Sequence, residues 1–372
     1  RKESSYYRTG CRIDREYVLM DQLLQGIFDG VALGARYSLI VLGFVVIYRA
    51  TGIINFAQGG FLLIGAFLTY NFSQTWGWNF YLSLLLSMIA TAIIAILIQL
   101  LLLHRSLKEI SGGVFCLISW SVFFYNGNSH LTSLILGIFV GASVYFLVKK
   151  FENRFGVSQS NELPIFGSII VTIGILFVIK QVVPSIWGFA EKNMGDPWGF
   201  KIVKVGDLVF THAKLWTIAL TAIALSGFFL VNRFTKIGIA MRAAHFDHEA
   251  AFAQGISLKV VFATAFGIAG AVAALAGTAT GVGIAQLTPN MDLIVFLAFP
   301  AMILGGFDSP GGAVIGGIIV GIIQNLTKVY QPEWDLDWLG VGFDRVMVFI
   351  VMLIILMIRP YGLFGTKEVH RV

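Results

Sequence analysis

The stretch 50–67, ATGIINFAQGGFLLIGAF, places Asn55 and Gln58 directly against a run of residues suited to lipid. Hydrocarbon tolerates a helix because every backbone polar group is paired within it, and it penalises the side-chain amides that open this one. The segment before it, YRATG, carries Arg49 at a membrane face and Gly52 as a helix breaker. A helix that opens at membrane depth leaves its first N–H groups unpaired and its positive dipole end exposed. Two readings of Asn55 and Gln58 are open at this point: a polar cap at the water interface, or a helix end that holds a carboxylate or polar solute on a path through the bilayer.

The surrounding chain requires a bilayer. Of 372 residues, 57% are hydrophobic and 12% charged, and the mean hydropathy is +0.82, which no soluble domain of this size can bury. A membrane helix needs about 20 apolar residues. Apolar segments are expected near 22–48, 55–72, 79–103, 112–127, 131–149, 165–187, 215–232, 258–282, 292–304, 311–330 and 344–358. The expected fold is therefore all-α, a polytopic transmembrane bundle of about ten to eleven helices with short or broken segments. Their continuity in Leu, Ile, Ala and Gly argues against the alternating strands of a β-barrel. The longest polar segments run to about 27 residues, too short for a soluble catalytic core.

The net charge of +6 does not indicate nucleic acid here, because the basic residues gather between apolar runs. HRSLKE (104–109), KKFENRFG (149–156), the segment 232–259 and the end from Arg359 follow positive-inside patterning and are expected in the cytoplasm. The acidic QPEWDLDWLG (331–340) and the segment 188–214 suit the outside. Residues 1–21 read as an N-terminal extension, with Met20 a natural start; 22–365 as the transmembrane domain; and 366–372 as a cytoplasmic tail. Cys11 and Cys116 form no CxxC or ligand cluster.

Three further features stand out. MILGGFDSPGGAVIGG (302–317) interrupts a second apolar run at Asp308, Ser309 and Pro310. GIAGAVAALAGTATGVG (267–283) and GGAVIGGIIVG (311–321) repeat small residues at helical spacing, which lets backbones approach closely in lipid. TKIGIAMRAAHFDHEAAFAQGISLK (235–259) predicts a helix from Lys236 capped by Gly255, with Ala, Met and Phe on a surface fit to dock a partner. His245 and His248 in it are expected on a solvated face. Among ionisable residues, Asp29, Arg36 and Asp292 are those that could serve an ion-coupled transporter inside the spans, Asp29 and Arg36 are also candidates for a structural pair, and Lys180, nearer a helix end, is expected to snorkel.

Taken together, GVALGARYSLIVLGFVVIYRATGIINFAQGGFLLIGA, AMRAAHFDHEAAFAQGI and LGGFDSPGGAVIGG resemble the LivH-type permeases of branched-chain amino-acid ABC importers, over most of 22–104 and 165–365. EAAFAQG (249–255) is similar to the EAA loop of ABC importer permeases. The resemblance implies a bacterial inner (plasma) membrane protein that pairs with a second, homologous permease, two cytoplasmic ATPases and a periplasmic substrate-binding protein. It places Asn55, Phe56 and Gln58 by the substrate path, and Arg242, Asp247, Glu249 and Gly255 in the loop that receives the ATPase. The chain has no GxxxxGK[ST], so ATP would be hydrolysed by the partners, with no cofactor, metal or catalytic residue here. Two departures are evident: residues 108–163 form an insertion, expected as a hairpin with both ends on one side, and Arg36 stands where the family usually has a small residue. A urea or short-amide permease is the first rival, an ion-coupled transporter or channel the second, and an intramembrane enzyme the least supported, since nothing resembles HExxH or GxSxG.

Overall fold

Continuous apolar composition and the absence of strand alternation produce helices almost throughout. The computed structural model describes residues 3–100, 135, 138, 139, 142, 143, 165–199, 201–206, 208–283 and 286–365, with side chains from Met20 onward except at 165, 166, 205 and 337. Cys116, the tail 366–372 and all but five positions of the expected 108–163 hairpin lie outside them. The described α-helices are α1 (Glu3–Thr51), α2 (Gln58–Tyr70), α3 (Phe80–Ile98), α4 (Ile165–Trp187), α5 (His212–Phe234), α6 (Lys236–Phe246), α7 (His248–Ala253), α8 (Leu258–Gly281), α9 (Ile294–Gly305), α10 (Pro310–Glu333) and α11 (Phe343–Ile358). A two-stranded antiparallel hairpin, β1 (Ile202–Val205) and β2 (Leu208–Thr211), precedes α5. Among the described residues, six helices are long and apolar enough to cross a membrane: α1 from Met20, α3, α4 from Gly167, α5, α8 and α10. The 12 residues of α9 extend only about 18 Å, well short of a hydrocarbon core of about 30 Å.

The chain divides into two compact units, each built from discontinuous segments. The first contains residues 1–38, 196–223 and 297–372. In it the amino-terminal part of α1 and α10 run antiparallel at backbone contact: a Cβ on Gly30 would lie 2.6 Å from the Cα of Ile322, and one on Gly34 2.6 Å from that of Ile318. Gly317 and Gly321 answer from α10, against Ser38 and Gly34, while Gly312 and Gly316 press on Gly305 and Ala301 of α9. The small-residue repeat of 311–321 thus serves two neighbours from two faces of one helix. Polar bonds run along the same contact: Tyr37 Oη donates to Gln324 Oε1 (2.6 Å), and Gln324 Nε2 donates to Asp344 (2.9 Å) at the start of α11. Asp29 does not pair with Arg36. Seven residues of helix separate the two by about 10.5 Å, and Asp29 instead takes the Lys214 ammonium at 2.7 Å and the Gln25 amide at 3.2 Å.

The second interruption also lies in this unit. Gly306 turns with φ +95°, Ser309 Oγ accepts from Gly312 N (3.0 Å) at the head of α10, and Leu363 N donates to Leu304 O (2.8 Å) across the end of α9.

The second unit contains residues 39–195 and 224–296. In it α2 and α4 lie side by side and parallel, since Phe56 meets Thr172, Gly60 meets Ile179, and Phe67 and Trp187 have ring centroids 5.8 Å apart. On its other side α2 packs on α8, with Gly65 against Ala274 and Gly277 against the backbone of Leu62. A buried hydroxyl cluster ties α2, α3 and α8: Thr69 Oγ1 lies 2.6 Å from Ser87 Oγ and 2.9 Å from Thr278 Oγ1. Each hydroxyl also lies within hydrogen-bond reach of a carbonyl one turn back, so every O–H has an acceptor away from water.

Candidate translocation and coupling site

The site is built around the opening of α2, in the second unit. Helix α1 ends where Gly52 turns left-handed (φ +70°), and its N–H returns to the Tyr48 carbonyl at 2.7 Å. Five residues of turn follow before Gln58 begins α2. Asn55 does not cap the helix itself: Ala57 holds the cap position with no side-chain bond, while Asn55 Oδ1 accepts from Ala57 N (3.0 Å) and braces the turn. Phe56 N–H donates to Thr172 Oγ1 on α4 (3.2 Å). Gln58 Nε2 donates to the Ala269 carbonyl of α8 (3.3 Å), and its amide occupies the space left by the missing side chain of Gly43.

Asn55 and Gln58 are both 0% exposed, which rules out a cap at the water interface. Asn55 Nδ2 and Gln58 Oε1 have no protein partner. One unpaired donor and one unpaired acceptor are thereby held within three residues, each at a cost of about 1–3 kcal/mol if left without any partner. The second interruption differs, since its cap and backbone bonds are made.

A charged pair stands beside this opening. Lys180 of α4 reaches both oxygens of Asp292, at 3.0 and 3.1 Å, with Asp292 only 3% exposed and Lys180 24%. Asp292 sits in a single 3₁₀ turn ahead of α9, and its Cβ would lie 3.4 Å from a Cβ on Gly59. The expectation that Lys180 snorkels is therefore corrected: a carboxylate in the same unit holds its ammonium. Two opposite charges in separate apolar segments were the available signal, and only the close approach of α2, α4 and the 291–293 turn pairs them.

The segment 235–259 forms two helices rather than the one expected. Thr235 Oγ1 caps α6 by accepting from Gly238 N (3.1 Å). Asp247 then leaves helical geometry (φ −161°) and caps α7, its Oδ1 accepting from Glu249 N (2.9 Å) and Ala250 N (3.0 Å). A short acceptor placed before two free N–H groups favours a new helix start over continuation. Gly255 closes the segment with φ +82°, and Ile256 N bonds back to Ala251 O (3.1 Å). The Arg242 guanidinium donates to the Asn232 carbonyl at the end of α5, so this residue secures the segment rather than standing free. Glu249, Gln254 and Gly255 are exposed, as are Phe246 (84%) and Phe252 (69%). His248 is exposed and His245 half-buried, as a solvated face predicts, and in addition their rings bond the carbonyls of Arg49 and Ala50, at 3.0 and 3.1 Å. Among the described residues no group of three or more His, Cys, Asp or Glu is placed to hold a metal ion.

Residues 26–356 match the family described as "Branched-chain amino acid transport system / permease component". The chain is 26% identical over 360 residues to the high-affinity branched-chain amino acid transport system permease protein LivH of Escherichia coli, covering 94% of this chain and 97% of that one. It is 24% identical over 364 residues to the permease protein BraD of Pseudomonas aeruginosa (94% and 98%). The probable LivH permease of Methanocaldococcus jannaschii is 24% identical over 331 residues, 88% of each chain. No solved structure matches. The match spans the opening of α2, the Lys180–Asp292 pair and the α6–α7 segment together, and six apolar helices accord with a multi-pass protein of the inner membrane. By that match the chain belongs to the permease-component family of branched-chain amino acid transport systems.

Proposed function

We propose that this chain is the membrane-spanning subunit of an ABC importer that carries branched-chain or other neutral, hydrophobic amino acids. The observation that carries the reading is the family match across 26–356. In this reading α6 and α7 lie on the cytoplasmic side, as the basic residues of 232–259 suggest, and their exposed Phe246, Phe252 and Glu249 receive an ATPase subunit. Two such ATPases, a second homologous permease and a periplasmic binding protein complete the transporter. ATP is hydrolysed by those partners, and no cofactor belongs to this chain. Asn55, Phe56 and Gln58 border the substrate path, where the unpaired Asn55 Nδ2 and Gln58 Oε1 supply a donor and an acceptor. Asp29 and Asp292 are each neutralised by a lysine, which favours ATP drive over an ion-coupled cycle needing a free carboxylate in the bilayer.

The test is reconstitution in liposomes with the cognate partners. ATP-dependent leucine uptake is the expected result. Uptake of urea or short amides without leucine would assign the cargo to the first rival, and uptake without any ATPase would overturn the importer reading.

A further inference from the structure

We propose that His245 and His248 form a two-point latch that fastens the coupling helices to the carboxyl end of α1, so that movement of α6 and α7 is delivered to the Asn55–Gln58 turn. This rests on the importer reading, and it assigns positioning roles to two residues outside the family loop residues carried over above.

A helix ends with its last four carbonyls unpaired. In α1 the Tyr48 carbonyl accepts from the Gly52 N–H, and the Arg49 and Ala50 carbonyls accept from outside the helix. His245 Nδ1 lies 3.0 Å from Arg49 O and His248 Nε2 3.1 Å from Ala50 O. A carbonyl only accepts, so in both bonds the ring N–H donates, and each donor meets the negative end of the helix dipole. The two histidines lie on either side of the Asp247 break, one on α6 and one on α7. Both coupling helices therefore grip consecutive carbonyls of a single helix end. Asn55 follows Ala50 by only five positions, and Gly52 lies between them as a left-handed turn. A push on α6 and α7 reaches the buried amides through these two bonds without passing through the length of any spanning helix. His248 also packs edge-to-face on Phe262 of α8, with ring centroids 5.7 Å apart, so ring packing and hydrogen bonding must be separated by the test.

In the reconstituted complex, the number of amino acids taken up per ATP hydrolysed is measured for three variants. His245→Ala with His248→Ala is expected to lower that ratio about tenfold, the scale of two lost neutral hydrogen bonds. His245→Asn with His248→Gln, which place an amide N–H near Nδ1 and Nε2 respectively, should recover most of it. His248→Phe keeps a ring against Phe262 without a donor and, with one of the two bonds gone, should lower the ratio about threefold. A wild-type ratio in the alanine variant, or an Asn/Gln variant no better than alanine, overturns the latch while leaving the importer reading intact, provided Glu249 and Gly255 variants still uncouple. Amide exchange over 248–256 in the purified full chain decides the latch without reference to transport. Protection lost in the alanine variant and regained with Asn/Gln supports it even if no ATP-driven uptake is found, and unchanged protection in all variants overturns it.

Discussion

At Gln58 the side chain is buried, its nitrogen is bonded to Ala269 O, and its oxygen has no protein partner. Leucine of similar size removes that uncompensated oxygen, so Gln58→Leu should leave thermal stability equal or higher, because replacing a half-satisfied polar group by an apolar one is near neutral. Uptake should nevertheless fall by about tenfold or more, ~1.4 kcal/mol in barrier terms. A thermal melt and an uptake assay on the same preparation check both halves, and normal uptake would return Gln58 to a packing role. Lys180 predicts the opposite pattern. Lys180→Met leaves Asp292 charged and 3% exposed, which should cost about 3–5 kcal/mol and lower the melting temperature sharply. Lys180→Met with Asp292→Asn should recover most of that loss.

Among the elements, α7 depends on its cap. Asp247→Ala removes the acceptor for two N–H groups and should destabilise this six-residue helix by about 1 kcal/mol, enough to fray it. Amide exchange at 249–253 should rise, while Asp247→Asn retains protection. For α10, Gly321 is pressed against the backbone of Gly34 and Gly30, whereas Gly311 has nothing within 4 Å of where a Cβ would stand. Gly321→Ala should cost about 1–3 kcal/mol by overpacking a backbone contact. Gly311→Ala should be neutral or slightly stabilising. Equal melting temperatures for the two variants would contradict the close α1–α10 approach.

For the whole molecule, the proposed importer requires that the α6–α7 segment transmit work while the bundle stays assembled. Glu249 is exposed and Gly255 is a left-handed stop with open space around it, so neither holds the bundle together. Glu249→Gln and Gly255→Ala should leave membrane insertion intact, the latter with a local strain of about 1–2 kcal/mol. Both should reduce amino acid uptake relative to ATP hydrolysis. Unchanged ratios in the two variants would remove this segment from the coupling route.

Sequence alone determined the membrane class, the ends of most helices, the breaks at Gly52 and at 306–309, and the family. These follow from local composition, since lipid selects apolar runs about 20 residues long and glycine, proline and short polar residues mark their ends. The partition of 235–259 into α6 and α7 was half legible: Asp247 is a good cap, but a good cap stands equally well on the surface of a continuous helix. Tertiary structure decided the pairings. Lys180 found Asp292, 112 residues away, Asp29 found Lys214 rather than Arg36, and His245 and His248 found the end of α1 nearly 200 residues back. A charged or donor side chain announces in sequence that it needs a partner; which partner it gets is fixed by which helices the glycines allow to approach.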